Sequence, residues 1–296
     1  MRFLAVLVAA TTALAGCATD APDDGDLYED GPATDGKADG VTFTPLVAVS
    51  NYAATSQQLV TTAELPGLLG GTFAADTPIV AIRTLTFGGT SARVVVDANT
   101  LEVIVASTDA LSHDARIATT GELDTTPYVT ALHHHSDAYV GLDPAAFGHG
   151  APERFVITVD MCQSSKAWEQ GFFEKLVALG TAIGEPVPIG VAMTGKWATA
   201  HPQQLAKLIA WDTTNALHIT WIDHSYNHPL NEVAGEYQFM TAPTVDMPSE
   251  VLRLEALLLS QRVVPSPFFR FPGLTYNAHR LDQVNALGLL SLDANA

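Results

Sequence analysis

The chain has 296 residues, and its 32 acidic against 14 basic residues give a formal net charge of −18 at pH 7. This charge excludes nucleic acid as a partner, because a phosphate backbone attracts clustered lysine and arginine. The length allows one large domain or two small ones once the terminal segments are set aside.

The first residues predict an export signal. Arg2 is followed by an apolar stretch, residues 3–13, that is too short to span a bilayer. Leu14-Ala15-Gly16-Cys17 then resembles a bacterial lipobox, in which Cys17 becomes the lipidated first residue of the mature protein. An ordinary cleaved signal with a chance cysteine is the alternative. We assign residues 1–17 to a lipoprotein signal peptide and expect an exported protein, lipid-anchored in the bacterial cell envelope.

Residues 18–40 predict an acidic, disordered tether between the lipid and the folded part. The segment holds few apolar residues and cannot bury enough surface to offset the entropy of ordering. Cys162 is the one cysteine left beside the lipid-bearing one, so no intramolecular disulfide is expected. No other apolar run is long enough to cross a membrane.

Residues 41–150 predict a β-rich N-terminal segment. Short runs of β-branched residues at 78–82, 92–96 and 101–105 are separated by turn residues. His133, His134 and His135 then follow one another. Adjacent side chains on a strand point to opposite faces, so all three cannot bind one ion. Their role stays open.

Residues 151–296 alternate between two kinds of pattern. Continuous apolar runs typical of buried strands alternate with segments of helical period. The strands are predicted at 155–159, 187–193, 217–222, 268–271 and 289–292, and the helices at 168–179, from 202, at 250–262 and at 279–286. Such alternation indicates a parallel sheet or a β/α barrel.

Polar residues stand where these strands end. Asp160 ends the first, Asp223 and His224 end the third, Arg270 lies in the next, and Asp293 ends the last. In β/α barrels the active site is built at the carboxyl ends of the strands. His228 follows His224 by four residues, so a helix there would place both imidazoles on one face, as half of a divalent-metal site.

These segments resemble the motifs of the polysaccharide deacetylases, the NodB-like proteins of carbohydrate esterase family 4. The matching pieces are Thr158-Val159-Asp160, His224-Ser225-Tyr226-Asn227-His228, Phe269-Arg270-Phe271-Pro272-Gly273 and Leu290-Ser291-Leu292-Asp293. The resemblance covers residues 155–296. It implies an α/β fold, a distorted β/α barrel that is incomplete at the C-terminus here, and hydrolysis of acetyl amide or ester groups on a polysaccharide.

The resemblance also implies roles for single residues. His224 and His228 would be metal ligands, and Asp160 would be the general base, a ligand, or both. Arg270 would keep that carboxylate ionised and oriented. The backbone around Pro272, Gly273 and Leu274 would bind the oxyanion and substrate, and Asp293 would support the catalytic acid.

Those residue types suit the chemistry of acetyl hydrolysis. A divalent ion held by few protein groups keeps open positions for water and a carbonyl, and a carboxylate within hydrogen-bond reach accepts the proton of the water. We expect one ion, zinc foremost, with cobalt, nickel or manganese as alternatives. The partners would be an acetylated polysaccharide and the membrane reached through the lipid, and we expect a monomer.

Two departures from the family pattern are visible. The second aspartate of the first motif is replaced by Met161, so Asp160 serves as base, as ligand or as both in turn, and Cys162 is either a softer ligand or a buried structural thiol. No histidine of the final motif follows Asp293. Residues 128–133, interpreted as a strand that ends in His133, could supply it by closing the barrel from the other end.

Two functions follow. The first is metal-dependent deacetylation of a cell-envelope or extracellular polysaccharide. The alternative is an inactive or truncated deacetylase-like lipoprotein that binds carbohydrate or metal without turnover. Which polysaccharide is involved does not follow from the motifs, because substrate loops vary independently of them.

Overall fold

The computed structural model describes residues 41–134, 156–163, 168–233 and 236–292. They form a mixed α/β structure in which an antiparallel half precedes a parallel half. None of the helices in these ranges is long and apolar enough to cross a bilayer. The signal peptide with its lipidated cysteine, the tether and the predicted domain boundary at residue 150 lie outside the described residues and stay predictions.

The antiparallel half contains seven strands and two helices in the described part. They are β1 Val49–Thr61, β2 Leu65–Pro66, β3 Thr72–Phe73, β4 Pro78–Phe87, β5 Thr90–Asp97, β6 Val103–Ser107, α1 Thr108–Asp114, β7 Ala115–Ile117 and α2 Pro127–His134. Five strands form a sheet in the order β6-β5-β4-β1-β7, and β2 pairs with β3.

Both faces of the five-stranded sheet are covered. Along β4, Ile79 and Ala81 face one hydrophobic cluster, while Val80 and Ile82 face a second one. This is the period-two alternation of a strand. Because both faces are buried, the strands are continuous apolar runs, as they are in the sequence at residues 78–82.

The prediction of a strand over residues 128–133 is wrong, because the segment is helix α2. Pro127 stands at the start of the helix, where its missing N–H costs nothing, and Tyr128, Val129 and Leu132 pack on one hydrophobic cluster. Tyr128 donates through its hydroxyl to the carbonyl of Gly288. A three- and four-residue spacing of buried groups is that of a helix face.

The parallel half follows from residue 156 onward. Its elements are β8 Thr158–Met161, α3 Gln170–Ile183, β9 Val187–Met193, α4 Gly195–Ala200, α5 Pro202–Thr213, β10 Leu217–Asp223, β11 Glu232–Val233, β12 Glu236–Tyr237, the 3-10 turn Phe239–Thr241, α6 Met247–Ser260, β13 Phe268–Phe269, the 3-10 turn Pro272–Leu274, α7 Ala278–Ala286 and β14 Leu290–Ser291. The predicted alternation of strands and helices is therefore confirmed, with bounds shifted by a few residues.

Five of these strands form a parallel sheet in the order β14-β13-β10-β9-β8. No pairing within the described ranges joins β14 to β8, so closure into a barrel stays a prediction. The two halves share one core, because Leu259 of α6 and Leu290 of β14 belong to the cluster on β4. A buried ion pair, Arg83 with Glu255 of α6, also joins them.

Candidate metal and acyl-transfer site

The parallel strands bring several polar groups to one edge of the sheet. β8 ends at Met161, β9 at Met193 and β10 at Asp223, and the chain continues the ladder beyond each end. The backbone N–H of His224 donates to Met193 O at 3.1 Å, and that of Arg270 donates to Asp223 O at 2.8 Å. The carboxyl-terminal edge is where ligands bind in open parallel sheets.

A loop, and not a helix, places the two histidines side by side. Ser225 and His228 both have left-handed backbones, with φ of 67° and 48°. The loop is held by its own polar groups: Ser225 N–H donates to Asp223 Oδ1 at 2.8 Å, and His228 N–H donates to Ser225 Oγ at 3.0 Å. The residues from His224 to His228 thus form a loop and not the helix that would have placed both imidazoles on one face, and the centroids of the two rings lie 5.2 Å apart.

Both imidazoles are buried and neutral. The exposed fractions of His224 and His228 are 1% and 6%. Burial lowers the pKa of His224, and burial together with the neighbouring His224 lowers the pKa of His228 to about 3. The Nδ1 of His224 lies 2.8 Å from Arg270 O, which can only accept, so the proton is on Nδ1 and Nε2 carries the lone pair.

The two Nε2 atoms are the signature of a ligand site. Each is buried, and neither has a hydrogen-bond partner in the described part of the chain. A buried polar atom left unpaired costs free energy comparable to a lost hydrogen bond, so such atoms call for an explanation. A metal ion that accepts both lone pairs would provide it.

Cys162 completes a group of three possible ligands. Its sulfur and one nitrogen each of His224 and His228 lie within 4.8 Å of one another, in a search limited to the described residues. Cys162 is disulfide-bonded, which contradicts the expectation of no intramolecular disulfide.

Asp160 lies beside this group and is engaged by arginine. Arg270 Nη1 lies 2.7 Å from Asp160 Oδ1 and also donates to Thr158 Oγ1 at 2.9 Å, while its Nε donates to Leu292 O at 3.2 Å. The side chain of Arg270 is 3% exposed and that of Asp160 is 16% exposed. The arginine is thus fixed by three acceptors, and it fixes one oxygen of the carboxylate.

The residues predicted for the oxyanion form a tight turn. Gly273 has φ of 61°, and the ring of Phe239 covers the place where a Cβ would stand. Phe239 also packs edge-on against His228, with ring centroids 5.7 Å apart, so the turn and the histidine loop touch the same ring. The N–H of Leu274 donates to Phe271 O at 2.9 Å within the turn. Asp293, predicted to support the acid, lies outside the described residues.

Sequence reasoning missed three residues that support the histidine loop: Glu250, Gln163 and Thr194. Glu250, near the start of α6, accepts two hydrogen bonds from Asn227 in the histidine loop. Gln163 donates to Asn227 O at 2.7 Å and lies 3.3 Å from Thr194 Oγ1. All three interact with residues that are far away in the sequence, so no local pattern marks them. The one available signal was the position of Gln163 and Thr194 just past the ends of β8 and β9.

The comparisons with known proteins give only a weak structural likeness. No protein-family model matches the chain. It is similar to a family 4 carbohydrate esterase from Streptomyces lividans in complex with acetate, at 23% identity and a TM-score of 0.32, over 47% of this chain and 62% of that one.

Two further solved structures are similar to the same extent. A family 4 carbohydrate esterase from Bacillus anthracis has 16% identity and a TM-score of 0.35, over 47% of this chain and 57% of that one. The chitin deacetylase from Colletotrichum lindemuthianum has 19% identity and a TM-score of 0.33, over 47% and 54%. The chain thus spans less than two thirds of each relative. With TM-scores this low, the likenesses by themselves establish neither a shared fold nor membership of the family.

Proposed function

We propose that this protein is a metal-dependent deacetylase that acts on an acetylated polysaccharide of the cell envelope or its surroundings. One observation carries the proposal: two buried, neutral imidazoles present unpartnered Nε2 atoms beside an aspartate held by a buried arginine. This set combines a place for a divalent ion with a positioned base, which is what hydrolysis of an acyl group requires.

The residues present fit a divalent ion. His224 and His228 are already neutral, so no proton has to leave them before a metal binds. The carbonyl of Arg270 fixes the ring of His224 in the tautomer that a ligand needs. When bound, the ion supplies a Lewis acid that polarises an acyl carbonyl and acidifies water.

The other groups of the chain would handle the proton and the charge. Asp160 takes a proton from the attacking water through the carboxylate oxygen that Arg270 does not fix. Arg270 orients Asp160 and balances its charge in a site from which water is largely excluded. The backbone around Pro272, Gly273 and Leu274, at the turn beside His228, is the part of the chain that the resemblance assigns to the oxyanion.

The test is acetate release from an N-acetylated oligosaccharide by the full chain with zinc added. His228→Ala removes a ligand atom and should reduce release to background. His113→Ala is a matched control, because His113 is an exposed histidine of α1 in the other half of the molecule, and it should leave release unchanged. Release that persists in His228→Ala would refute the assignment.

A second candidate function is binding of carbohydrate or metal without turnover. The observation that favours it is the place of His133, the substitute acid that the sequence offered. Its helix α2 is joined to Gly288, next to the amino-terminal end of β14, whereas the site lies at the carboxyl ends of the strands. Oligosaccharide binding with no acetate release in the presence of zinc would favour this alternative.

Export and lipidation belong to the same proposal. Cys17 in Leu14-Ala15-Gly16-Cys17 would carry the lipid, which excludes a disulfide between the two cysteines of the chain, and the acidic tether would hold the folded part away from the membrane. Metabolic labelling with a palmitate analogue in a bacterial host tests this. Label that is lost in Cys17→Ser supports it, and label that is absent from the wild-type chain contradicts it.

A further inference from the structure

We propose that the substrate of this site is an anionic polysaccharide, whose carboxylate or phosphate groups are bound by Lys196 and Arg253 at the rim of the histidine loop, residues 224–228. The inference rests on the deacetylase function proposed above and names the class of its substrate. It adds two specificity-determining residues to a site whose motifs leave the polysaccharide open.

Tyr226, in the middle of the histidine loop, joins both cations to the site. The backbone N–H of Lys196, in the first turn of α4, donates to Tyr226 O at 2.9 Å. The guanidinium of Arg253, on α6, lies over the ring of Tyr226, 3.8 Å from its centroid. Both cations are therefore anchored on the loop that carries the two proposed metal ligands.

The charge of Lys196 acts on the site itself. Lys196 is half-buried, whereas Arg253 is exposed. Burial and the neighbouring His224 lower the pKa of His228, and the positive charge of Lys196 acts in the same direction. A charge that is felt at His228 is also felt by a substrate group bound next to it, because the interaction of two charges depends on their distance and on the polarity around them. Lys196 is thus the inner cation and Arg253 the outer one.

Neither cation has an acidic partner of its own. In the described part of the chain no carboxylate forms an ion pair with Lys196 or Arg253, although the sequence holds 32 acidic against 14 basic residues. The acidic side chains of the site are engaged elsewhere: Asp160 pairs with Arg270, and Glu250 holds the histidine loop through two hydrogen bonds. Two unpaired cations beside the site of an acidic protein favour an anionic ligand.

The chemistry of the two side chains suits carboxylate or phosphate groups. Lysine presents an ammonium with three donors, and arginine presents a planar guanidinium that binds two oxygens at once. Because the guanidinium of Arg253 lies over the ring of Tyr226, the loop offers a substrate a cation there in place of a bare aromatic face. A neutral sugar would leave both cations without a counter-charge, whereas a uronic acid or a sugar phosphate would supply one.

The experiment compares soluble polymers as substrates of the full chain with zinc. Carboxymethyl chitin and glycol chitin share one N-acetylglucosamine backbone, and their substituents are anionic in the first polymer and neutral in the second. Salt is kept at about 0.15 M, where a screening length of about 8 Å limits repulsion of the polymer by the net charge of −18. We expect a higher kcat/KM for acetate release from carboxymethyl chitin. Phosphorylated chitin is tested in parallel: preference for either anionic polymer supports the inference, and the better one identifies the group.

Variants separate the charge of Lys196 from a structural role. Lys196→Met should lower kcat/KM for the anionic polymer about tenfold more than for glycol chitin, which is the contribution of one charge-assisted contact. Lys196→Arg keeps the charge and should keep the preference. Arg253→Met should reduce the preference less, because that cation is exposed. Lys175→Met, at an exposed lysine of α3, is the matched control and should leave the ratio of the two kcat/KM values unchanged.

The outcomes distinguish the inference from the function on which it rests. Equal kcat/KM values on charged and neutral polymers in the wild-type chain would overturn the inference and leave the deacetylase function standing. An equal loss on both kinds of polymer in Lys196→Met would do the same, because it would show that the lysine supports the fold and not the choice of substrate. If no polymer releases acetate, the proposed function fails and the inference fails with it.

Discussion

The carboxylate of Glu250 accepts both the backbone N–H and the side-chain amide of Asn227, at 2.7 and 2.6 Å. On the other side, the carbonyl of Asn227 accepts a hydrogen bond from Gln163 at 2.7 Å. Asn227 immediately precedes His228, whose backbone is left-handed. Glu250 is thus a positioning residue: it anchors the loop from α6 and fixes where the second imidazole points.

We expect Glu250→Gln to weaken zinc binding about tenfold or more, the effect typical of a residue that holds a ligand in place. A glutamine has one acceptor oxygen and an amide nitrogen that cannot accept, so one of the two hydrogen bonds from Asn227 is lost. Competitive chelator titration measures the change.

Glu255→Gln is the matched control for this prediction. Glu255 lies five residues later on α6, is 1% exposed, and pairs with Arg83 and not with the histidine loop. It should lower the free energy of unfolding while leaving zinc affinity within a few-fold of wild type. If both variants lose affinity equally, the effect of Glu250 is one of general stability and not of position.

The buried ion pair between the two halves makes a second prediction. Arg83 forms two hydrogen bonds to Glu255, at 2.6 and 2.8 Å, and its Nη1 donates to the carbonyls of Ile82 and Leu287. Arg83→Met leaves a buried carboxylate without its cation, so we expect a loss of about 3–5 kcal/mol in the free energy of unfolding. Denaturant unfolding of the metal-free chain measures it.

Two further variants show whether the pairing is the cause. Arg83→Met combined with Glu255→Leu removes both charges and should recover much of the loss, because well-packed apolar replacements of a buried pair are often tolerated. Arg116→Ala breaks an exposed pair with Glu122 and should change stability little. If the double variant loses as much free energy of unfolding as Arg83→Met alone, Arg83 stabilises the fold by packing and not by its charge.

The alternation of strands and helices could be predicted from the sequence because period and turn chemistry are local. Pro202 begins α5 and the apolar run 217–222 is the strand β10, as expected. The prediction of a strand at 128–133 was wrong because the apolar residues of this segment also fit one face of a short helix. The hydrogen bond from Tyr128 to the carbonyl of Gly288, far away in the sequence, is part of the packing that favours the helix.

The site could be predicted less completely. The sequence alone places four site residues at or soon after the ends of strands, and the structure brings them together. They are Asp160, His224, His228 and Arg270. The hydrogen bonds of Glu250 and the ring contact of Phe239 join residues far apart in the chain, and packing alone sets them. The place of Cys162 beside the imidazoles follows from the direction of the chain after β8, and the spacing of residues does not reveal it.

Acid should destabilise the metal-free chain through its buried histidines. The pKa of His228 is about 3 in the folded chain and has an ordinary value of 6.5. Between these values the unfolded chain binds the proton and the folded chain does not. The contribution of neutral His228 to the free energy of unfolding is therefore fully present above about pH 6.5. It is lost as the pH falls, at up to about 1.4 kcal/mol per pH unit.

The comparison with His228→Gln isolates this proton. Burial raises the pKa of Asp223, and nearby Glu255 adds to it, so Asp223 contributes in the opposite direction as the pH rises through its own titration. Because Asp223 is present in both chains, it cancels in the difference. Denaturant unfolding at pH 7, 6, 5 and 4 should show that the free energy of unfolding falls more steeply with decreasing pH in the wild-type chain than in the variant. Equal slopes in the two chains would contradict the assignment of a buried, neutral His228.

The last prediction concerns the turn that faces the histidine loop. Gly273 has φ of 61°, and a Cβ there would meet the ring of Phe239 at 2.5 Å. Gly273→Ala should therefore cost about 1–3 kcal/mol through the strained backbone and the contact. Displacement of Phe239 from His228 should also weaken zinc binding, as chelator titration would show.

Gly171→Ala is the control, because that glycine of α3 has open space around its Cβ position and alanine favours a helix. Phe239→Ala alone removes the ring and leaves the turn unstrained, so zinc affinity that is low in Gly273→Ala but unchanged in Phe239→Ala would assign the effect to the backbone of the turn and not to the ring.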